Sequence, residues 1–240
     1  IKGRSVENFR AEVRYDPNDG SFASRGFRAD CYGGTIMGDV FLRRPTTAGI
    51  PYTLDMLFDN VAFKGLASQQ WVDSGQTSPE RPGWASGAVQ IRGRFGDAGS
   101  HLGRLSAGIT QVEVARRSVI GKVLAALQFN DPTDYVFNKV EADAYLKGND
   151  LVIERVHMVG SSLVMEGRGR LDLERMRVAL VFTVGRSIGP ETSFLESLAT
   201  ALGNAMVRVE VNGDIDEPQI ATDALPLMTR PLYMLGPEGK

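Results

Sequence analysis

The sequence predicts an all-β protein, and three observations carry that reading. Apolar and polar residues alternate at period two in stretch after stretch. Turn-forming clusters separate these stretches at short, regular intervals. One pattern also occurs twice, in residues 32–42 (Tyr-Gly-Gly-Thr-Ile-Met-Gly-Asp-Val-Phe-Leu) and in residues 160–173 (Gly-Ser-Ser-Leu-Val-Met-Glu-Gly-Arg-Gly-Arg-Leu-Asp-Leu). Each copy follows a turn, at Asn18-Asp19-Gly20 and at Lys147-Gly148-Asn149-Asp150. Each precedes another alternating strand, Tyr52–Phe58 and Met176–Val184.

The elements follow in order along the chain. Phe27, Ala29 and Cys31 alternate, so Cys31 reads as a small buried hydrophobe rather than a reactive thiol. Tyr52, Leu54, Met56 and Phe58 share one strand face, with Thr53, Asp55, Leu57 and Asp59 on the other. Residues 73–84 are irregular and read as a surface loop. Val89, Ile91 and Phe95 form the next set, with Gly93 in phase, and Leu105, Ala107 and Ile109 the one after. Residues 118–128 carry Val119, Ile120, Val123, Leu124 and Leu127 at helical spacing, with Ser118 as N-cap. Met176, Val178, Leu180, Phe182 and Val184 form a long alternating set. A second helix is predicted at 190–203, opened by Pro190 and striped with Phe194, Leu195, Leu198 and Leu202. Val207, Val209 and Val211 close the series. Turns are predicted at Pro17–Gly20, Gly96–Gly99, Gly148–Asp150 and Asn212–Asp214. Strands do not alternate with helices, which argues against a parallel doubly wound sheet. The domain prediction is one unit over residues 1–240, built from two strand-meander repeats of about 1–72 and 85–225 joined by loop 73–84.

Charge and composition narrow the function. The chain has 27 basic and 29 acidic residues, interleaved, for a net charge of −2. That balance argues against a nucleic-acid partner and against a polybasic membrane patch. A single cysteine rules out a disulfide within the chain. No apolar run approaches the roughly 18–20 residues needed to span a bilayer, and no signal-like segment is present. With Ile1 first, the expectation is a piece of a longer protein whose anchor lies elsewhere.

Sites for bond chemistry are not evident. There is no Gly-x-Ser-x-Gly elbow and no Walker loop, and Gly167-Arg168-Gly169 lies among strand signals. His157 reads as a strand-face polar residue between Arg155 and Val159, and His101 as part of a Gly/Ser turn. Neither sits in a metal-ligand cluster. Glu141 and Asp143 share one strand face, and Asp214, Asp216 and Glu217 are adjacent. A glycosidase needs two carboxylates facing each other across a sugar, whereas neighbouring acids on one strand mark a solvated face. No catalytic residue, metal site or cofactor is predicted. Met37, Met56, Met158, Met165 and Met176 fall in or beside strands, where flexible thioethers suit variable apolar partners. A sheet with so few helices must close on itself, pair with a second sheet or hold an apolar ligand.

Four stretches, taken in order, carry a family resemblance. They are Phe27–Val40; Gly87–Gly96 with Leu105–Ile109 and helix 118–128; Phe137–Val184 with Gly148, Leu151, Gly167 and Gly169; and Val207–Pro218. Together they resemble the C-terminal region of AsmA-like proteins, bacterial relatives of bridge-like lipid transfer proteins. The resemblance implies a twisted antiparallel sheet curled into an open apolar groove, with no catalytic residues. It implies a periplasmic region of an inner-membrane-anchored protein that moves phospholipid toward the outer membrane, with other envelope proteins as further partners. The groove-lining candidates are Tyr52, Leu54, Met56, Phe58, Val89, Ile91, Leu105, Ile109, Met176, Val178, Leu180, Phe182, Val207, Val209 and Val211. Leu54 and Leu180 stand in two separate lining rows, and each is expected to contact lipid. The rival reading is a structural or assembly module for outer-membrane biogenesis, whose sheet edges pair with partner strands without carrying lipid.

Overall fold

The computed structural model describes residues 6–62, 83–116, 118–128, 136–161, 163–186 and 206–225. Its strands are β1 (Val6–Asp16), β2 (Ser21–Cys31), β3 (Gly34–Leu42), β4 (Ile50–Ala62), β5 (Trp84–Phe95), β6 (Asp97–Glu113), β7 (Val136–Lys147), β8 (Asp150–Gly160), β9 (Leu163–Asp172), β10 (Arg177–Arg186), β11 (Met206–Asp214) and β12 (Pro218–Leu225). One helix, α1, spans Val119–Ala126. The strands form a single 12-stranded antiparallel sheet in chain order, and β1 and β12 do not pair to close a barrel. The all-β prediction holds, and both sequence repeats lie in this one sheet. Predicted helix 190–203 and residues 73–82 of the predicted loop fall outside the described residues.

Several predicted turns are tighter than the sequence implied. Trp84 opens β5 instead of ending a loop. Between β5 and β6 only Gly96 turns, in the left-handed region at φ 89°, and Asp97 to Gly99 already belong to β6. The Ser100 hydroxyl accepts the Arg94 N–H at 2.8 Å and clamps this hairpin. His101 therefore lies in a strand and not in a turn. Asn212 to Asp214 end β11, and the chain reverses after them. There the Asp214 carboxylate accepts the Asp216 N–H, and Ile215 N–H donates to the Met176 carbonyl, both at 2.9 Å. Aspartates set other turns as well. Asp19 accepts from Ser21 and Asp172 from Glu174 and Arg175, which holds both carboxyls below the usual range.

The two rims of the sheet differ. Connections 17–20, 43–49, 96, 148–149, 173–176 and 215–217 lie on one rim. At the other rim lie turn 32–33 and the strand ends that precede and follow the longer connections 63–83, 114–135 and 187–205. α1 stands in the second of those long connections. The Ser118 hydroxyl accepts from Gly121 N–H at 3.1 Å and donates to the Ala115 carbonyl at 2.6 Å, an N-cap that satisfies an otherwise orphaned donor. Gly121 is required there, because a Cβ would collide with the carbonyls of Ala115 and Arg116.

Curvature follows from how α1 packs. In a flat sheet β6 and β12 would stand about 29 Å apart at ~4.8 Å per strand. A helix is only about 10–12 Å across. Yet Val123 and Leu124 of α1 join one cluster with Val112 of β6, Phe137 of β7 and Val209 and Val211 of β11. α1 also touches β12, and Lys122 Nζ donates to the Asp216 carbonyl beyond β11. The sheet therefore curls around α1, with its apolar face inward.

Glycines on the inner face make room for that curl. Tyr52 pairs with Gly93, Met56 with Gly38 and Phe58 with Gly87. Leu180 pairs with Gly169 and Phe182 with Gly167. A Cβ on Gly87 would stand 2.7 Å from the Phe58 ring, and one on Gly167 would overlap the Phe182 ring. Each bulky side chain thus lies across the bare backbone of its neighbour, as strand glycines permit. Gly167→Ala is expected to cost about 1–3 kcal/mol through overpacking. Gly185→Ala has nothing within 4 Å of the added carbon and should stay within about 0.5 kcal/mol. Denaturant melts of the two variants check the contrast, and equal destabilisation would count against the glycine-packing account.

Candidate functional site

Directly paired residues of an antiparallel sheet share a face, so the register assigns every side chain to a side. One row runs Gly38, Met56, Val89, Leu105, Ala144, Ile153, Gly169, Leu180, Val211, Ile220 across β3 to β12. It contains no polar side chain. The row beside it includes Leu54, Ile91 and Val178, and that on the other side Phe58, Phe182 and Val209. Tyr52 lies toward the tight-turn rim, and Ile109 and Val207 toward the opposite rim. Fourteen of the fifteen lining candidates therefore occupy one face.

Met176 does not. It precedes β10, stands in the β9–β10 turn at φ 50° and is 48% exposed. Alternation alone extends the row through Met176, but the turn ends the strand one residue later, at Arg177.

The fourteen are not equivalent. Val178, Leu180, Phe182, Val209 and Val211 are buried, with Ile109 and Val207 packed against the same cluster as α1. In that half the sheet has a sealed core. Tyr52, Leu54, Met56, Phe58, Val89, Ile91 and Leu105 remain half-exposed on the same face and outside that cluster. Leu54 and Leu180 thus differ in cover. Leu180 is 8% exposed under packed neighbours, whereas Leu54 lines an open trough. Alternation along a strand assigns a face but does not say what covers it.

The trough has an aromatic edge. Tyr52 stacks on Phe95 with ring centroids 4.4 Å apart and meets the His101 ring edge-on at 5.9 Å. Burial raises the Tyr52 hydroxyl pKa above its ordinary value. The sequence offered Phe95 as in phase with Val89 and Ile91, but nothing in it marked His101 as a trough residue. Two further residues escaped notice, Ile36 and Val40 of β3, which pair with Phe58 and Leu54. Their alternation was legible within the first repeat.

The opposite face is polar. Asp143 accepts from Ser106 at 2.9 Å and from Arg155 at 3.2 Å, and these bonds hold its carboxyl below the usual range. Arg104 pairs with Glu154 at 2.9 Å and Lys139 with Glu141 at 2.8 Å. The paired carboxylates weighed for glycosidase chemistry, Glu141 and Asp143, are thus members of surface ion pairs. Depressions of about 500 and 470 Å³ lie largely on this face, bordered by groups such as Arg28, Asp39 and Asp55 or Arg92, Tyr145 and Lys147. Among the described residues no group of three or more His, Cys, Asp or Glu is placed to hold a metal ion. Among them, too, no helix is long and apolar enough to cross a membrane. Comparisons with protein-family models, curated proteins and solved structures each find no match.

Two predictions follow from the contrast between halves and from the polar face. Leu180→Asp buries an unpaired carboxylate, a change of the kind that costs about 4–5 kcal/mol or more, and should abolish the cooperative melt. Leu54→Asp leaves its charge within reach of water and should keep one. Equal stability of the two variants would overturn the division into sealed and open halves. Separately, partial burial lowers the His157 pKa, with Glu166 and Glu141 opposing. Its folded pKa lies below the unfolded value, so the unfolded chain takes up the proton first. Stability should therefore fall as pH drops below about 6.5, and a His157→Gln variant should lose that component in thermal melts across pH.

Proposed function

We propose that this chain is a non-enzymatic lipid-handling module that holds acyl chains in the trough over β3–β6. One observation carries the reading: Leu54, Met56, Phe58, Val89, Ile91 and Leu105 form a contiguous apolar surface that is left half-exposed. A surface of that kind on a soluble sheet marks a binding site for apolar partners. Acyl chains fit it chemically. Each methylene moved out of water is worth about 0.8 kcal/mol. The strand ladders satisfy the backbone beneath, so the lining presents no orphaned polar group to the chains. Binding of this type needs shape and burial, and no bond is made or broken.

The resemblance to the AsmA-like C-terminal region extends the proposal to context. The module would work in the periplasm as part of a protein anchored in the inner membrane by a segment outside this chain. It would carry phospholipid toward the outer membrane.

The rival assembly reading has its own support. Edge strand β1 exposes Phe9, Val13 and Tyr15 at 65, 58 and 63%, and an uncovered apolar edge invites pairing with another strand.

Organic extraction of the purified protein, with native mass spectrometry, separates the readings. Co-purifying phospholipid or fatty acid, displaced by a fluorescent fatty acid, is the expected result. Lipid-free protein that also fails to bind added phospholipid, yet captures a β-strand peptide, would favour assembly.

A further inference from the structure

The two edge strands of the sheet present different chemistry. On its polar face β12 carries Gln219, Ala221 and Asp223. On the same face β1 carries Arg10, Glu12, Arg14 and Asp16, so its charges alternate in sign along the free edge. On the apolar face β1 carries Val13 and Tyr15, 58% and 63% exposed, and Phe9, which stacks on Phe27 of β2 with centroids 6.5 Å apart. Val13 continues the row of Ser24, Val40 and Leu54. Charge on an edge strand guards it against pairing, and a single sign would repel every copy in every register. Alternating signs repel in some registers and attract in others. Within the chain the pattern is poorly matched. Arg10 stands opposite Arg28, and like charges directly opposite are unfavourable. Among the described residues Arg10, Glu12 and Arg14 enter no ion pair.

We propose that β1 pairs antiparallel with β1 of a second copy, about a two-fold axis at Val13. In that register Arg10 faces the partner's Asp16, and Glu12 faces the partner's Arg14. Each contact occurs twice by symmetry. Asp16 accepts from Asn18 through Oδ1, which leaves Oδ2 for the arginine. On the apolar face Val13 meets the partner's Val13, and Ala11 meets the partner's Tyr15. Neighbouring registers fail. An axis at Glu12 sets Arg10 against Arg14 and Glu12 against itself. One at Arg14 sets Arg14 against itself and Glu12 against Asp16. One at Ala11 runs the pairing into Asn8, where β1 turns left-handed at φ 53° and its register with β2 shifts. An axis between two residues would set apolar side chains against charged ones. The contact is isologous and closes at two copies, with their apolar faces side by side on one sheet. This inference commits the edge used by the rival assembly reading to a second copy, and it does not depend on the lipid reading.

The test is the oligomeric state of the whole chain, read by native mass spectrometry and by sedimentation at tens of micromolar. The unmodified chain is expected to form a dimer. Glu12→Arg and Arg14→Glu each set like charges against the partner strand, and each should weaken the dimer about tenfold or more. Mixed in equal amounts, the two variants regain opposite charges at both contacts and should form a one-to-one heterodimer. That rescue also separates a broken contact from a misfolded strand. A monomeric unmodified chain would overturn the proposal. So would single variants as dimeric as the unmodified chain, oligomers that grow beyond two, or a mixture that stays monomeric. A monomeric chain that captures an unrelated β-strand peptide would overturn the second copy as occupant while leaving the assembly reading intact.

Discussion

The rest of the structure depends on one constraint. Twelve strands paired in chain order put an apolar face ten strands wide on one side of a sheet that does not close. Such a face cannot stay flat in water, because each exposed methylene raises the free energy. Closure into a barrel would remove the problem along with the sheet edges. This chain instead curls the sheet and packs one helix into the curl. The helix joins the buried cluster of the β7–β11 half, while the lining from β3 to Leu105 of β6 stays half-exposed.

Glycine makes that curl possible. Side chains on a concave surface crowd one another, and a glycine opposite each large residue relieves the crowding. The pairs Tyr52–Gly93, Phe58–Gly87 and Phe182–Gly167 repeat the same solution in both halves of the sheet. Their consequences differ with cover. Phe182 is 1% exposed and fixes the core, whereas Phe58 and Tyr52 remain half-exposed and give the trough its wall. One local rule therefore serves stability in one half and, on the proposed reading, binding in the other.

The polar face has a different role. Its ion pairs, such as Arg104–Glu154 and Arg155–Asp143, are largely solvent-exposed. Pairs of that kind contribute at most about 1 kcal/mol each. Their main effect is to fix which side of the sheet meets water, since a one-residue register slip would drive every one of these charges inward. The bulge at Asn60, left-handed at φ 51°, falls where β4 meets β5 near the rim, and it preserves inward placement of Val61 beyond the irregularity.

Much of this was legible in the sequence, for a physical reason. Period-two alternation and turn chemistry are local properties, so they determined the strands, the polar and apolar sides, the Ser118-capped helix and fourteen of the fifteen lining positions. Local signals also misled at definite places. Alternation carried the β10 row through Met176, which lies in a turn, and the Gly/Ser cluster near residue 100 concealed a tight hairpin that places His101 in β6. Cover was decided only by tertiary structure. Leu54 and Leu180 have the same chemistry and the same place in their strands' alternation. Whether each stays half-exposed or joins the buried cluster depends on what packs over it, and that is set by contacts between residues distant in sequence, which no periodicity records.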